Sequence, residues 1–256
     1  GVETEFVTRL PENEISRCGI AALNKYRVKT DNIPVGGDRI GIFYCEKGAS
    51  QRPSKVIYDR MNTGFTTCKT EDYDWEKIFD GAGYFHFTGI TPALGESVAA
   101  VCLDACKMAK ECGITVSCDL NYRKNLWTTE QAKATMERLL EYVDILIANE
   151  EDAEKVLGIS APDTDVTAGK LNKEGYVSVA KQICRKYGIP TVAITLRQSI
   201  SASDNNWSGM LYTNDTAYFS REYAVHLVDR VGGGDSFGAG LIFAIGHGFE
   251  PQKCID

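Results

Sequence analysis

From Tyr84 onward the sequence alternates between short apolar runs of strand length and longer amphipathic runs of helix length. That rhythm marks a sheet of parallel strands joined by crossover helices, because a parallel neighbour can only be reached by carrying the chain back across the sheet. The pattern predicts strands at 84–88, 114–119, 143–148 and 191–196, and helices at 95–112, 129–141, 150–156 and 174–187. Two antiparallel-looking strands near 208–213 and 217–225 follow, then a helix from about Gly233 to Gly246. Upstream, Glu5 to Arg9 reads as a strand and Glu14 to Tyr26 as a helix. Between Asp38 and Arg60 the rhythm breaks: Arg39–Tyr44 and Lys55–Arg60 are β-rich runs with Gly, Ser and Pro between them, a hairpin-like insertion without a helix.

The 256 residues, 43% of them hydrophobic, suffice for one large α/β domain carrying that insertion at about 38–62. A net charge of -7 and the lack of any Lys/Arg block argue against a nucleic-acid partner, which would require a run of phosphates to be neutralised. An acidic chain that binds an anion must gather its few cations locally. No run approaches the roughly 20 apolar residues needed to cross a bilayer, and the N-terminus lacks the order of a signal peptide, so a soluble, cytoplasmic protein is expected. The nine cysteines are odd in number and hold no Cys-x-x-Cys pair, which suggests reduced thiols; Cys102 and Cys106 share a helical face as small packing residues. Gly1 is not an initiator Met, and Pro251 to Asp256 follow a helix without closing anything, so part of the natural chain is expected to be missing at both ends.

The sharpest chemical signal is Val228-Asp229-Arg230-Val231-Gly232-Gly233-Gly234-Asp235-Ser236-Phe237-Gly238-Ala239-Gly240. Three glycines let backbone amides converge on one point, and a helix N-terminus behind them favours an anion there. A carboxylate at Asp235 is placed to take a proton from a hydroxyl attacking a phosphoryl group held by those amides. No Gly-Lys-Ser/Thr follows, and the segment does not open a first βαβ unit, so neither a Walker A loop nor a dinucleotide fingerprint is present. Asn149-Glu150-Glu151-Asp152 closes a strand and opens a helix, with Asn149 as a helix cap. His86, within Tyr84-Phe85-His86-Phe87, reads as a satisfied core histidine, and Asp119 is open between a substrate contact and a strand-end cap. Trp75, Trp127 and Trp207 show no spacing of a stacking platform.

The segment Asp229 to Gly240 resembles the C-terminal signature of the ribokinase-like (PfkB) carbohydrate kinases. That resemblance implies a three-layer sandwich with a mostly parallel central sheet and a small β lid. It implies an anion hole at Gly232, Gly233 and Gly234, with Asp235 as catalytic base. The family pattern Asn-x-x-Glu is matched at 149–152 with Asp152 in place of Glu, implying a role near Mg2+ through water. Thr195 to Ser203 is similar to the nucleotide-side loop without its usual glycines. Nucleotide contacts are thereby implied for Asn121, Asn149, Thr195, Arg197, Ser199, Gly232 and Gly234. ATP and Mg2+ follow as cofactors, with K+ as a further monovalent candidate.

Three segments resemble the 2-keto-3-deoxygluconate kinase branch: 48–54 with 56–60, 85–94, and Asp119-Leu120-Asn121-Tyr122-Arg123. A sugar acid needs a fixed Arg in a net-acidic protein, and Arg123, just past a strand end, is the first choice. Tyr58 and Arg60 would cover the substrate from the lid, beside Asp235. The resemblance also implies that the lid edges pair with the same element of a second subunit, a homodimer through the lid that would cover its exposed edges. A neutral-sugar kinase, such as a fructokinase or ribokinase, and a non-catalytic sugar-binding protein on the same fold remain the alternatives.

Overall fold

The structure is a computed structural model that describes residues 2–48, 52–53, 55–160, 173–201, 203–229 and 231–256. Ala49, Ser50, Gln51, Ser54, Ala202 and Arg230, which belong to the motifs above, lie outside the described residues.

The chain runs through β1 (Thr4–Glu5), α1 (Glu14–Lys25), β2 (Val28–Lys29), β3 (Ile42–Glu46) and β4 (Lys55–Asp59). A 3-10 turn at Thr70–Asp72 leads to α2 (Trp75–Ile78), β5 (Tyr84–Thr88), α3 (Ile90–Ala93), α4 (Glu96–Glu111), β6 (Thr115–Asp119), α5 (Thr129–Leu140) and β7 (Ile145–Ala148). The remainder is α6 (Glu150–Leu157), α7 (Lys173–Tyr187), β8 (Thr191–Ser199), β9 (Asp204–Thr213), β10 (Thr216–Phe219), β11 (Tyr223–His226), α8 (Gly233–Gly246) and α9 (Pro251–Ile255).

Among the described residues, seven strands form one sheet in the order β10-β9-β8-β7-β6-β5, with β11 also on β9. Strands β5 to β8 are parallel, and β9 reverses direction against β8. Alternate side chains divide the sheet as the period of two requires. Phe87, Val116, Cys118, Leu146, Ala148, Val192 and Ile194 point into a large core with the apolar faces of α4 to α7. On the opposite face Ile147, Ala193 and Leu211 pack against Leu241 and Ala244 of α8 and Cys254 and Ile255 of α9. Strand β7, buried on both faces, is therefore apolar at all four positions.

The strands and helices from Tyr84 to Tyr187 fall within two residues of the expected positions. Several expectations change; the first ribbon strand, expected at 39–44, lies at Ile42–Glu46, and the strand expected near 208 begins at Asp204. Strand β8 continues to Ser199 instead of stopping at 196, because its polar residues pair across the hairpin: Asn206 Nδ2 donates to Gln198 Oε1 at 3.2 Å, and Ser199 Oγ to Asn205 Oδ1 at 3.0 Å. The expected strand at 217–225 is two strands, since at the break the Gly209 amide donates to the Ser220 hydroxyl. Residues 251–255 form α9, started by Pro251 at its first turn, and do pack onto the sheet. The first strand is shorter, covering Thr4–Glu5 and paired in parallel with β2.

The lid ribbon is β3 against β4, in register from Ile42↔Asp59 to Glu46↔Lys55. Its two arms cross at their base with backbone touching backbone. A Cβ on Gly37, whose φ is +79°, would overlap the Gly64 Cα, and one on Gly64 would overlap the Gly36 carbonyl. The Arg9 guanidinium closes this crossing by donating to the Gly64 carbonyl at 3.1 Å. Gly37→Ala combines backbone strain with overlap, so urea unfolding is expected to give a stability loss of about 2–3 kcal/mol.

Candidate active site

Parallel pairing aligns Thr88, Asp119, Ile147 and Ala193 as one row near the carboxyl ends of β5 to β8. Beyond that row the chain must satisfy its backbone with whatever the loops carry. Three successive amides do so differently: Leu120 donates to the Ile147 carbonyl at 2.9 Å, Asn121 to Asp119 Oδ1 at 3.1 Å, and Tyr122 to Asp152 Oδ1 at 2.9 Å. Asn121 takes a left-handed turn at φ +39°, a conformation its short amide tolerates, and its Nδ2 donates to Thr88 Oγ1 at 3.1 Å. Asp119 is thus the cap of its own strand end.

Asn149 caps α6: its Oδ1 accepts from the Asp152 amide at 2.9 Å while its own amide donates to Asp152 Oδ2 at 3.3 Å. Asp152 is 3% exposed, and both of its carboxylate oxygens accept backbone N–H groups. It is not disposed as an open metal ligand. Glu150 is held by the Tyr176 hydroxyl of α7.

The glycine turn lies at the start of α8. Gly232 occupies the N-cap with φ +81°, and both the amide and the hydroxyl of Ser236 donate to its carbonyl at 2.8 Å. First-turn amides of a helix have no internal partner. A Cβ at Gly233 or Gly234 would meet nothing within 4 Å, so crowding does not explain these glycines. What they leave is bare backbone N–H in open space, with the exposed Asp235 in the same turn.

Electrostatics ties these parts together. Burial, with Asp152 and Asp235 nearby, raises the Asp119 pKa to about 7 against the pull of the Asn121 amide and Arg123. Burial also lifts Asp152 to about 6, opposed by its two amide bonds and by Arg123. The Asp235 charge reaches His86 as well, whose pKa falls to about 4 because its desolvation outweighs that attraction. His86 Nδ1 meets Ser117 Oγ at 2.6 Å, so the ring is partnered as expected, but it keeps an exposed edge and is no core residue.

Asp119, Asn121, Arg123, Asp152 and Asp235 therefore share one site. Thr195, Arg197 and Ser199 stand on the α8 face of β8, opposite Gly209, Trp207 and Asn205 of β9, in a strand instead of the expected loop. On the lid, the Arg60 guanidinium lies 4.3 Å from the Tyr58 ring centre. Arg60 also lines a cleft of about 310 Å³ with Arg39, Phe43 and Thr63. No hydrogen bond or ion pair among the described residues joins Tyr58 or Arg60 to Arg123 or Asp235. The lid reaches the glycine turn through its tip, where Lys47 Nζ stands 3.6 Å from Asp229 Oδ2. Neither Lys47 nor the Thr88 and Tyr122 contacts carried a sequence signal, since each depends on register between distant segments.

A parallel α/β sheet whose carboxyl edge lies near a glycine-lined helix N-terminus with a carboxylate in its first turn suits an enzyme that transfers phosphoryl groups. The pfkB family carbohydrate kinase profile matches residues 1–256, and the chain belongs to that family. It is similar to the crystal structure of a 2-dehydro-3-deoxygluconokinase from Thermotoga maritima, at 52% identity and a TM-score of 0.95, over 100% of this chain and 76% of that one. It is 28% identical over 237 residues to a 2-dehydro-3-deoxygalactonokinase of Haloferax volcanii, covering 93% of this chain and 68% of that protein. A 2-dehydro-3-deoxygluconokinase of Bacillus subtilis is 26% identical over 203 residues, 78% of this chain and 55% of that protein.

A carboxyl group whose pKa is raised on folding stabilises the fold only while protonated. That contribution is present below the ordinary value of 3.8 and lost as pH rises through about 7. Asp119→Asn keeps the acceptor for Asn121 and removes the charge. Its melting temperature is expected to match the native protein near pH 4 and exceed it increasingly up to pH 8 in thermal unfolding scans.

Proposed function

We propose that this chain phosphorylates the terminal hydroxyl of 2-keto-3-deoxygluconate from ATP, giving the 6-phospho sugar acid and ADP. The observation that carries the kinase reading is the uncrowded Gly233–Gly234 backbone at the start of α8 with Asp235 beside it. The acceptor reading is supported by the sugar-acid kinases named above and by Arg123, the cation set at the acidic site.

Asp235 accepts the proton of the attacking hydroxyl, and the first-turn amides of α8 stabilise charge on the phosphoryl group in transit. The guanidinium of Arg123 pairs with the sugar carboxylate from below, and Tyr58 with Arg60 closes from the lid. Asn121, Asn149, Thr195, Arg197 and Ser199 line the nucleotide side. Among the described residues no three His, Cys, Asp or Glu side chains are grouped to hold an ion. Mg2+ bound with ATP would neutralise phosphate charge, and Asp152, buried with both carboxylate oxygens on backbone amides, would act on it only through water. K+ is an accessory cation, tested by exchanging it for tetramethylammonium in a turnover assay.

Residues 1–256 act as one catalytic domain with 38–62 as its lid. The chain works in the cytoplasm, which supplies ATP and suits nine free cysteines. No helix among the described residues is long and apolar enough to cross a membrane. A second copy covers the lid: Tyr44 and Ile57 pair across one face of the ribbon and are 59% and 54% exposed.

Asp235→Asn is expected to lower kcat by on the order of 10²–10⁴-fold while calorimetry shows near-native sugar binding. Near-native turnover would sink the assignment. Arg123→Ala is expected to raise KM for the sugar acid roughly 10- to 100-fold and leave fructose kinetics unchanged; an equal loss on both sugars would point to a neutral acceptor. Ile57→Asp is expected to shift sedimentation from dimer to monomer.

A further inference from the structure

We propose that Asp152 is a positioning residue for sugar-acid binding: it holds the Tyr122 amide from a neighbouring helix and thereby fixes where Arg123 stands.

The segment 119–123 crosses from β6 to the open rim, and each of its bonds has a distinct anchor. The Asp119 carbonyl accepts from the Gly89 amide at 2.7 Å, and the Leu120 amide donates to the Ile147 carbonyl at 2.9 Å, so the start is tied to both neighbouring strands. Asn121 is tied to Asp119 and Thr88. The last amide before Arg123 belongs to Tyr122, and its partner is a side chain from another element, Asp152 Oδ1 at 2.9 Å. On the far side the Arg123 carbonyl accepts from the Leu126 amide at 2.9 Å, and the Tyr122 hydroxyl donates to the Trp127 carbonyl at 3.3 Å. The Arg123 backbone is thus held on both sides. Among the described residues, its exposed guanidinium donates only to the Tyr122 carbonyl beside it, at 3.0 Å.

A clamp is useful only if it is itself rigid. Asp152 is 3% exposed, its amide and Oδ2 are both engaged by Asn149, and the helix that carries it buries Ala153, Val156 and Leu157 in the main core. Every polar atom that Asp152 presents is spent on backbone geometry. Removing the carboxylate leaves a half-buried Tyr122 amide without its partner, and the segment is free to shift toward another acceptor. Arg123 moves with it.

The inference rests on Arg123 being the sugar-acid contact, and the test separates the two. Binding of 2-keto-3-deoxygluconate is measured by calorimetry without nucleotide or divalent metal, for the native protein, Arg123→Ala, Asp152→Ala, Asp152→Asn and the Arg123→Ala/Asp152→Ala pair. Asp152→Ala is expected to weaken binding roughly ten-fold, with no further loss when Arg123 is already absent. Asp152→Asn, which retains an oxygen for the Tyr122 amide, is expected to recover most of the affinity; a loss of roughly ten-fold in this variant would overturn the proposal, so the test stands even if the alanine variant does not fold. Native-like metal-free binding by Asp152→Ala, or a loss of activity in both variants that shows only as a higher Mg2+ requirement, would overturn the proposal. If Arg123→Ala binds the acid normally, the substrate reading fails first and is recognised by that arm.

Discussion

Four parallel strands, from Tyr84–Thr88 to Thr191–Ser199, carry their polar ends to one rim, and that shared direction is the constraint on which the site depends. Ladder bonds stop where the strands stop, yet the amides just beyond are still partly buried and must be paired. The chain pairs them with side chains: Asp119 for Asn121, Asp152 for Tyr122, Thr88 for the Asn121 amide group. Carboxylates accumulate at the rim for this backbone reason before any ligand is considered. The same parallel geometry leaves α8 on the opposite face, packed through Leu241 and Ala244, so that its N-terminus opens toward that rim.

This solution has an electrostatic cost. Asp119 and Asp152 are both shifted upward by burial, and each feels a further carboxylate, Asp152 and Asp235 for the first and Glu151 for the second. Arg123 is the cation that relieves both. An anion placed on Arg123 would draw on the same positive charge and would thereby favour the protonated form of both acids. The backbone bonds to Asp152 favour its charged form and limit that competition on one of the two acids.

Much of the fold was legible because its signals are local. Helix α5 reads from Thr128 and Gln131 forming a capping box before a periodic apolar run, and β7 from four consecutive apolar residues. The glycine turn was legible because the residues that build it are contiguous. The end of β8 was not, since Arg197, Gln198 and Ser199 have loop composition and are strand only because β9 offers matching partners at 205–207. Asp152 was legible as a carboxylate at a helix start, but its bond to Tyr122 joins residues 30 apart and follows from strand order alone. His86 shows the converse: its apolar neighbours suggested a core, whereas alternation along β5 sends Phe85 and Phe87 one way and His86 the other.

The position of the lid follows from its stem. A two-stranded ribbon is marginal by itself, and β3–β4 exposes every residue of both strands. At the tip, Lys47 and Asp229 are 70% and 56% exposed, so their pairing contributes at most about 1 kcal/mol and weakens with salt. At the base, glycine backbones cross in contact, Arg9 bonds the Gly64 carbonyl, and Arg39 holds both the Asp59 carboxylate and the Met61 carbonyl. Those bonds flank Arg60, which is already stacked on Tyr58. The Arg60–Tyr58 pair is therefore set by the base of the ribbon and not by its tip.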